Sequence, residues 1–393
     1  MSEETVDGTA PTEAVGEVPG ASPDAPAGAV APLRQTVSAN GASCDVRVGD
    51  GVLERFGRDL RVCCGRAGTA ALLVEGGADP DLVESLRRLV TDAGFLVRRL
   101  PDVPGAGAAD ASRLPGLWEA LGAAGVTSSD ALVAVGGRRT LSLASFAAST
   151  WCGGTPLACV PLSLDALVLC PALPLPLASG GEAAMVSARC RMAMCYAEPG
   201  TLDIAAPTPG NLAGRAAMVA AAVCESRDAF NTFVMRSEAM AAGDVAEIAR
   251  QALEAARGVG RVSASTSVAV RRSLSYGETF ARALGRFLPE VGWGPRLGEG
   301  LRFAARLAVG AVEGDIDFVF AQDALLDRLS VTEVACTLDP AALGRAFREE
   351  ELARTNRAMV ALPHAVVRVR MAAVDDAVLE EHLAAWCAAR SVL

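Results

Sequence analysis

Residues 131–150 read ALVAVGGRRTLSLASFAAST, and this stretch indicates the fold more clearly than any other. A continuous apolar run, typical of a buried strand, leads into Gly136 and Gly137, and a helical pattern follows. Backbone amides at such a strand-to-helix turn can bind a pyrophosphate, and Arg138 and Arg139 could offset its charge. Two glycines without the spacing G-x-G-x-x-G are more often only a tight turn, and the arginines could equally face water. Gly136, Gly137 and Arg138 are therefore candidate nucleotide-binding residues, with a plain turn as the alternative.

The flanking sequence alternates between short apolar runs and longer amphipathic stretches. Strand patterns occur at 44–49, 70–75, 95–100 and 156–162. Between them, DPDLVESLRRLVTDAG is typical of a helix that is opened by an aspartate cap and closed by Gly94. Strands that alternate with helices predict an α/β fold, with a Rossmann-like parallel sheet that carries helices on its faces.

From about residue 206 the strand patterns give way to consecutive helix patterns punctuated by glycine and proline. One late strand pattern, AVVRVRM at 365–371, and a helix from Asp375 to about Arg390 close the chain. The sequence thus predicts a disordered acidic tail, an α/β nucleotide-binding-like domain and a mainly helical domain, at 1–34, 35–205 and 206–393. A cleft between the two folded domains is the expected ligand site.

The composition excludes several functions. The 393-residue chain carries a formal net charge of −10, so it lacks the cationic surface that nucleic acid requires, and nucleic acid is not an expected partner. All 36 basic residues are arginine. No lysine is therefore present to act as a tunable acid or base, and arginine cannot replace it because its guanidinium stays protonated.

Cysteines, histidines and apolar runs predict a cytoplasmic protein without membrane association. The 11 cysteines lie mostly in apolar runs and form no C-x-x-C pair, which favours buried, reduced thiols. The N-terminus has neither the basic nor the apolar region of a signal peptide, and the longest uncharged run, 166–181, is broken by three prolines. His364 and His382 are interpreted as structural or surface residues rather than ligands.

A further segment raises the question of whether the chain is an enzyme. SLSYGETFARAL, at 273–284, reads as the opening turns of a helix with Glu278 and Arg282 four residues apart on one face. Such a pair is common as an ordinary ion pair on a helix surface. The alternative is that the two residues occupy the working positions of an active site.

The order of these segments, from about 36 to 370, resembles that of the 3-dehydroquinate synthases, members of the sugar phosphate cyclase superfamily. The family's G-G-G-x-x-G-D stretch is matched by GGRRTLS, its P-T-T-L-L-A run by the end of GGTPLACVPLSLDAL, its G-H-T-x-G-H-A helix by GETFARA and its L-H-G-E-A-V helix by RLGEGL. The resemblance implies a dehydroquinate-synthase-like fold, bound NAD, a divalent metal (zinc or cobalt) and a homodimer. It also implies the conversion of 3-deoxy-D-arabino-heptulosonate 7-phosphate to 3-dehydroquinate and phosphate, a lyase reaction of aromatic amino acid biosynthesis through the shikimate pathway.

Carried over residue by residue, the resemblance places different side chains at most of the family's functional positions. The three metal-ligand positions fall on Met218, Glu278 and Leu297, and the second helix histidine falls on Arg282. Two lysine positions and two aspartate positions fall on Ala221, Glu182, Leu169 and Ser142. The aligned catalytic positions are Arg271, Glu278, Arg282 and Glu299, and neither a metal site nor bound NAD is predicted for this chain.

Three interpretations follow. The favoured one is a non-catalytic relative that binds an anionic small molecule in the interdomain cleft, because a single carboxylate does not make a metal site. The alternative is an active synthase, or a related cyclase, rebuilt around arginines that pair well with phosphate or carboxylate, namely Arg138, Arg139, Arg271 and Arg282. A third interpretation is a displaced alignment of an intact synthase, but no displacement supplies a lysine or a histidine before residue 364.

Overall fold

A computed structural model describes the chain over residues 16–17, 30–39, 41–105, 109–180, 182–188, 191–353, 357–364 and 368–391. Most of the predicted tail, 1–34, lies outside these ranges. Within them, an α/β part is followed by a mainly helical part, as the sequence predicts.

Among the described residues, the α/β part contains ten strands: β1 (Gly16–Glu17), β2 (Leu33–Ala39), β3 (Ala42–Val48), β4 (Thr69–Val74), β5 (Leu96–Arg99), β6 (Ala131–Gly136), β7 (Leu157–Pro161), β8 (Leu177–Ser179), β9 (Glu182–Val186) and β10 (Met192–Ala197). Eight of them form one sheet in the order β1-β2-β3-β10-β7-β6-β4-β5, and β8 and β9 form a separate hairpin.

The sheet is mainly parallel, as the sequence predicts, and antiparallel strands extend it at one edge. Every pairing from β3 to β5 in the sheet order is parallel, whereas β1 with β2 and β2 with β3 are antiparallel. The reason lies in the connection between β2 and β3, a tight turn with Gly41 at a φ of 76°. So short a connection joins antiparallel neighbours, since a parallel crossover needs a dozen residues or more.

The described ranges place five helices with these strands: α1 (Phe56–Cys64), α2 (Pro80–Asp92), α3 (Leu114–Ala123), α4 (Arg138–Thr150) and α5 (Leu164–Leu169). The predicted cap of α2 is present, because the Asp79 side chain accepts a hydrogen bond from the amide of Asp81. Alternate residues of β4 enter two different apolar clusters, one shared with α1 and α2 and the other with α3, α4 and α5. Helices therefore cover both faces of the sheet, which explains why its central strands read as continuous apolar runs.

The helical part contains α6 (Pro199–Leu202), α7 (Pro209–Glu225), α8 (Arg227–Ala241), α9 (Val245–Ser263), α10 (Val268–Ser273), α11 (Glu278–Phe287), α12 (Trp293–Val312), α13 (Ile316–Arg328), α14 (Pro340–Leu352) and α15 (Asp376–Arg390). Two strands, β11 (Val360–Pro363) and β12 (Val369–Ala372), form an antiparallel ladder between α14 and α15. The single late strand predicted at 365–371 is thus the second strand of a hairpin, and 365–367 lie outside the described residues.

The segment SLSYGETFARAL is not one continuous helix, which corrects its interpretation as opening helical turns. Ser273 ends α10, and Gly277 has a φ of 79°, a left-handed conformation that glycine adopts without strain. Helix α11 then begins at Glu278. The break places Glu278 in the first turn of a new helix.

The two parts share one apolar core. Buried side chains of the sheet, such as Val37, belong to the same cluster as Leu253 of α9 and Leu301 of α12. Glycines allow the closest approaches between the two parts: a Cβ at Gly214 of α7 would lie 2.6 Å from Leu164 Cγ, and one at Gly260 of α9 would lie 2.8 Å from Val37 Cγ1. The arrangement of the two parts is therefore fixed by packing.

Six of the ten described cysteines are buried: Cys44, Cys159, Cys170, Cys195, Cys336 and Cys387. Across the described ranges, no helix combines the length and the apolar character that crossing a membrane requires.

Candidate functional site

A cleft of about 500 Å³ lies where the α/β part meets the helical part. Its charged lining comprises six arginines: Arg138, Arg139, Arg271, Arg272, Arg282 and Arg296. Four acids also line it: Asp165, Glu278, Glu350 and Glu351. This excess of guanidinium groups over carboxylates favours an anionic occupant.

Two of the four acids are paired with arginines that do not line the cleft. Glu350 binds Arg286 at 2.7 Å, and Glu351 binds Arg348 at 2.8 Å. The negative charges of Glu350 and Glu351 are therefore compensated by arginines outside the cleft lining. The cleft itself is consequently more positive than a count of its lining residues indicates.

Two of the cleft arginines lie near the Trp293 indole. The guanidinium carbons of Arg282 and Arg296 lie 5.5 Å and 5.8 Å from the centre of an indole ring, within the range of cation–π attraction. Arg296 lies close against α11, where a Cβ at Gly285 would come within 1.8 Å of its Nη1 atom. Burial lowers the pKa of the Arg296 guanidinium, and its Nε has no hydrogen-bond partner among the described residues. The Arg296 guanidinium is thus packed against α11, and its Nε can still donate a hydrogen bond to a ligand.

The first turn of α4 contributes two further cations. Arg138 is buried, and its Nε likewise lacks a hydrogen-bond partner within the part of the chain that the structure describes. Arg139 is exposed. Asp165, near these arginines, accepts a 2.6 Å hydrogen bond from the Ser163 hydroxyl. Burial raises the pKa of the Asp165 carboxyl, and the charge of Arg138 opposes only part of that rise.

Glu278 and Arg282 form the ion pair that their spacing predicts. Arg282 Nη2 lies 2.5 Å from Glu278 Oε2, and both side chains are about four-fifths buried, with exposures of 21% for Glu278 and 20% for Arg282. The pair lies in the lining of the cleft rather than on an outer helix surface. The family resemblance assigns a metal ligand to the position of Glu278. In this chain the Glu278 carboxylate binds the Arg282 guanidinium instead.

The other two metal-ligand positions carry apolar side chains. Met218 and Leu297 are buried, with exposures of 0% and 4%. Beside Leu297 and Glu278 lies a void of about 30 Å³, which adjoins the cleft and is also lined by Ala217, Ala220 and Ala221. Thioether and alkyl groups do not supply the oxygen and nitrogen donors that zinc or cobalt requires, so these residues do not fit the metal. The described part of the chain also holds no cluster of three or more potential ligands of the His, Cys, Asp and Glu types.

Glu299, one of the aligned catalytic positions, is not among the residues that line the cleft. It is fully buried and accepts hydrogen bonds from Arg390 Nε at 3.0 Å, Trp386 Nε1 at 2.8 Å and the Val334 amide at 2.7 Å. Its contacts therefore join α12 to α15. Arg271 does line the cleft, but it donates hydrogen bonds to the carbonyl groups of Ser265 and Thr266.

The remaining sequence candidates lie outside the charged lining. Ser142 is buried and donates to the Arg138 carbonyl, Leu169 is buried, and Glu182 begins β9. His364 and His382 lie within hydrogen-bonding distance of the carbonyl groups of Val312 and Val378 through their Nδ1 atoms, at 2.5 Å and 2.8 Å, in keeping with structural roles.

The glycine turn between β6 and α4 has an acidic partner that the sequence analysis did not identify. Glu75, directly after β4, accepts a 2.7 Å hydrogen bond from the Gly137 amide and a 2.8 Å bond from the Thr140 hydroxyl, both through Oε2. The pairing of β4 with β6 brings Glu75 to this turn. No local pattern signals the contact, because its residues are more than 60 positions apart.

Asp165, Arg272, Trp293 and Arg296 were also missed as cleft residues. They come from α5, α10 and α12, and only the packing of these helices brings them together. A sequence signal existed for Arg296 alone, because it directly precedes the position aligned with a family histidine.

Comparison with characterised proteins supplies relatives for this chain. No protein-family profile matches it. A 3-dehydroquinate synthase from Thermobifida fusca is 35% identical over 128 residues, which is 32% of this chain and 33% of that protein. One from Nocardia farcinica is 29% identical over 263 residues, 63% of this chain and 65% of that protein, and one from Rhodococcus opacus is 28% identical over 71% of this chain and 76% of its own length. The matches thus span less than two thirds of the first two relatives.

Solved structures show the same fold. A 2-deoxy-scyllo-inosose synthase complexed with carbaglucose-6-phosphate, NAD+ and Co2+ superposes with a TM-score of 0.73 over 89% of this chain and 99% of that one, at 15% identity. A 2-epi-5-epi-valiolone synthase from Streptomyces hygroscopicus gives a TM-score of 0.72 over 90% of this chain and 99% of that one, at 14% identity. This chain thus shares the fold of these two synthases, with a Rossmann-like part, a helical part and a cleft between them. The sequence relatives reported above are 3-dehydroquinate synthases, the family that the motifs of this chain resemble.

Proposed function

We propose that this chain binds a small anionic compound in the interdomain cleft and does not carry out the metal-dependent cyclisation of its relatives. The observation that carries the proposal is that the buried apolar side chains of Met218 and Leu297 stand at two of the metal-ligand positions. The ligand class is a phosphate- or carboxylate-bearing sugar derivative, because the cleft is lined by guanidinium groups.

The side chains of the cleft suit binding better than catalysis. Arginine stays protonated near neutral pH, so the cationic lining cannot shuttle protons. Glu278 is held by Arg282, and the raised pKa of Asp165 does not by itself supply an electron sink for the oxidation of a hydroxyl group. Arg138 and Arg296 retain unused donors that an anion can satisfy.

The first test is binding of inorganic phosphate to the full chain, measured by titration calorimetry. Replacing Arg296→Gln removes a charge-assisted hydrogen bond, so we expect about a tenfold loss of phosphate affinity, equal to ~1.4 kcal/mol. The matched control is Arg58→Gln, an exposed arginine of α1 outside the cleft, which should leave the affinity unchanged. Equal affinities for the wild type and the Arg296→Gln protein would remove the cleft as the binding site.

The second test is turnover. The purified protein, supplied with 3-deoxy-D-arabino-heptulosonate 7-phosphate, NAD+ and Zn2+ or Co2+, is expected to release no phosphate above the rate without protein. Release of phosphate that a chelator abolishes would overturn the proposal of a non-catalytic role, while leaving the location of the anion site to the calorimetric test.

A further inference from the structure

The turn between β6 and α4 already holds an anionic group, the carboxylate of Glu75. Its Oε2 atom receives both the Gly137 amide, at 2.7 Å, and the Thr140 hydroxyl, at 2.8 Å. Gly137 is the N-cap residue of α4 and offers no side-chain cap, and the first turn of α4 contains no acid. Glu75 therefore supplies both the acceptor and the negative charge that a helix N-terminus favours.

The glycines of the turn fit this carboxylate. A Cβ at Gly136 would lie 2.8 Å from Glu75 Oε2 and 2.7 Å from Thr140 Cβ, so a side chain at 136 would displace one of them. A Cβ at Gly105, on the other side, would lie 3.5 Å from Glu75 Oε1. The close approach of Glu75 thus explains why residue 136 is a glycine. A bound phosphate is not required to explain it.

The turn differs from a dinucleotide-binding turn at the next residue as well. The third glycine of the family's G-G-G stretch falls on Arg138, which is buried with an exposure of 9%. A pyrophosphate at this turn would compete with Glu75 for the Gly137 amide. The residues of the turn therefore do not fit a dinucleotide.

We infer that Glu75 occupies the anion position of the glycine turn in place of a cofactor pyrophosphate and thereby excludes NAD from this chain. The inference concerns the turn alone and is independent of which anion the cleft binds. It also assigns a function to Gly136 and Gly137, as the residues that admit Glu75 between β4 and α4.

Binding of NADH to the full chain, followed by its fluorescence, tests the inference. We expect no saturable binding to the wild type. Replacing Glu75→Ala opens the position and removes a negative charge, so NADH affinity should rise at least about fivefold. Glu75→Gln, which keeps an acceptor for the Gly137 amide and preserves the fold if alanine does not, should show a smaller rise. Glu119→Gln, an exposed acid on α3, controls for the change in net charge.

The outcomes are distinct from those of the cleft experiment. Addition of Arg296→Gln to the Glu75 variant should leave its NADH affinity within about twofold, because Arg296 lines the cleft from α12 and the turn joins β6 to α4. NADH binding by the wild type that weakens in Glu75→Ala would overturn the inference, since Glu75 would then contact the nucleotide itself. Glu75 variants that bind NADH no better than the wild type would overturn it equally.

Discussion

Individual residues determine what the cleft can do chemically. The pairing of Glu278 with Arg282 was predictable from a spacing of four on a helix, because such neighbours lie one turn apart on one face. The contribution of Asp165 was not predictable, since its environment comes from the burial of α5 against α7 and from Arg138 of another helix. The sequence shows that residue 165 is an aspartate, but it does not show that folding removes water from its carboxylate.

Asp165 makes stability depend on pH. Burial raises the pKa of its carboxyl above the ordinary 3.8, so the folded state binds the proton more tightly than the unfolded state does. The resulting stabilisation is fully present below pH 3.8 and is lost as pH rises through the raised pKa. The free energy of unfolding of the wild type should therefore fall from about pH 4 to 8 relative to that of Asp165→Asn, which has no proton to lose.

Urea denaturation at each pH measures this difference. The control is Asp92→Asn, an exposed aspartate that ends α2. Parallel curves for the wild type and Asp165→Asn over the whole range would contradict the prediction.

Elements with strong periodicity were predictable, whereas those with mixed composition were not. Helix α2 was located from its cap and its apolar spacing. Strand β2 was missed because its inward positions include the polar Gln35, and β10 was missed because MAMCYA lacks the β-branched residues typical of strands. The surroundings of Glu299 were not predictable, because an alignment gives the position of a residue on α12 without showing which neighbour that helix face contacts.

The contact between α12 and α15 depends on Glu299. Replacing Glu299→Ala leaves the Arg390 guanidinium, only 8% exposed, without its buried partner, and we expect a loss of about 3–5 kcal/mol in the free energy of unfolding. Glu333→Ala removes the other carboxylate that binds Arg390, but Glu333 is half exposed, so the loss should stay below about 1 kcal/mol.

Chemical denaturation measures the free energy of unfolding of the two variants. If Glu299→Ala does not fold, Glu299→Gln replaces it, because glutamine retains an acceptor for Trp386 and the Val334 amide. Hydrogen exchange should locate the weakened region at α15. Equal losses for Glu299→Ala and Glu333→Ala would show that Glu299 does not hold this helix.

At the scale of the whole molecule, the two parts are expected to unfold together, because one apolar cluster extends through both. The two-part architecture and the location of the cleft followed from the order of strand and helix patterns. The closeness of the two parts did not, since it depends on which glycine of a helix faces its neighbour, and Gly214 carries no distinguishing pattern in the sequence.

Gly214 tests this packing. A Cβ there would lie 2.6 Å from Leu164 Cγ and 2.7 Å from the Asp165 nitrogen, so Gly214→Ala should force α7 away from α5 at a cost of about 1–3 kcal/mol. Gly116→Ala on α3, where nothing lies within 4 Å of the added Cβ, is the matched control and should be neutral or up to ~1 kcal/mol stabilising.

Thermal unfolding followed by calorimetry distinguishes the outcomes. A single transition that moves to lower temperature is expected for Gly214→Ala. Two separate transitions in the wild type would contradict the shared core.

The water-sized void beside Leu297 limits the evolutionary paths open to this chain. A volume of about 30 Å³ admits one or two water molecules, whereas an ion arrives with several ligands in fixed directions. A histidine introduced at 297 would place a polar ring against the alanines of α7, and an acid introduced at the buried position 218 would be surrounded by apolar side chains. Each single replacement therefore buries a polar group without partners, and a return to metal chemistry requires several side chains to change together.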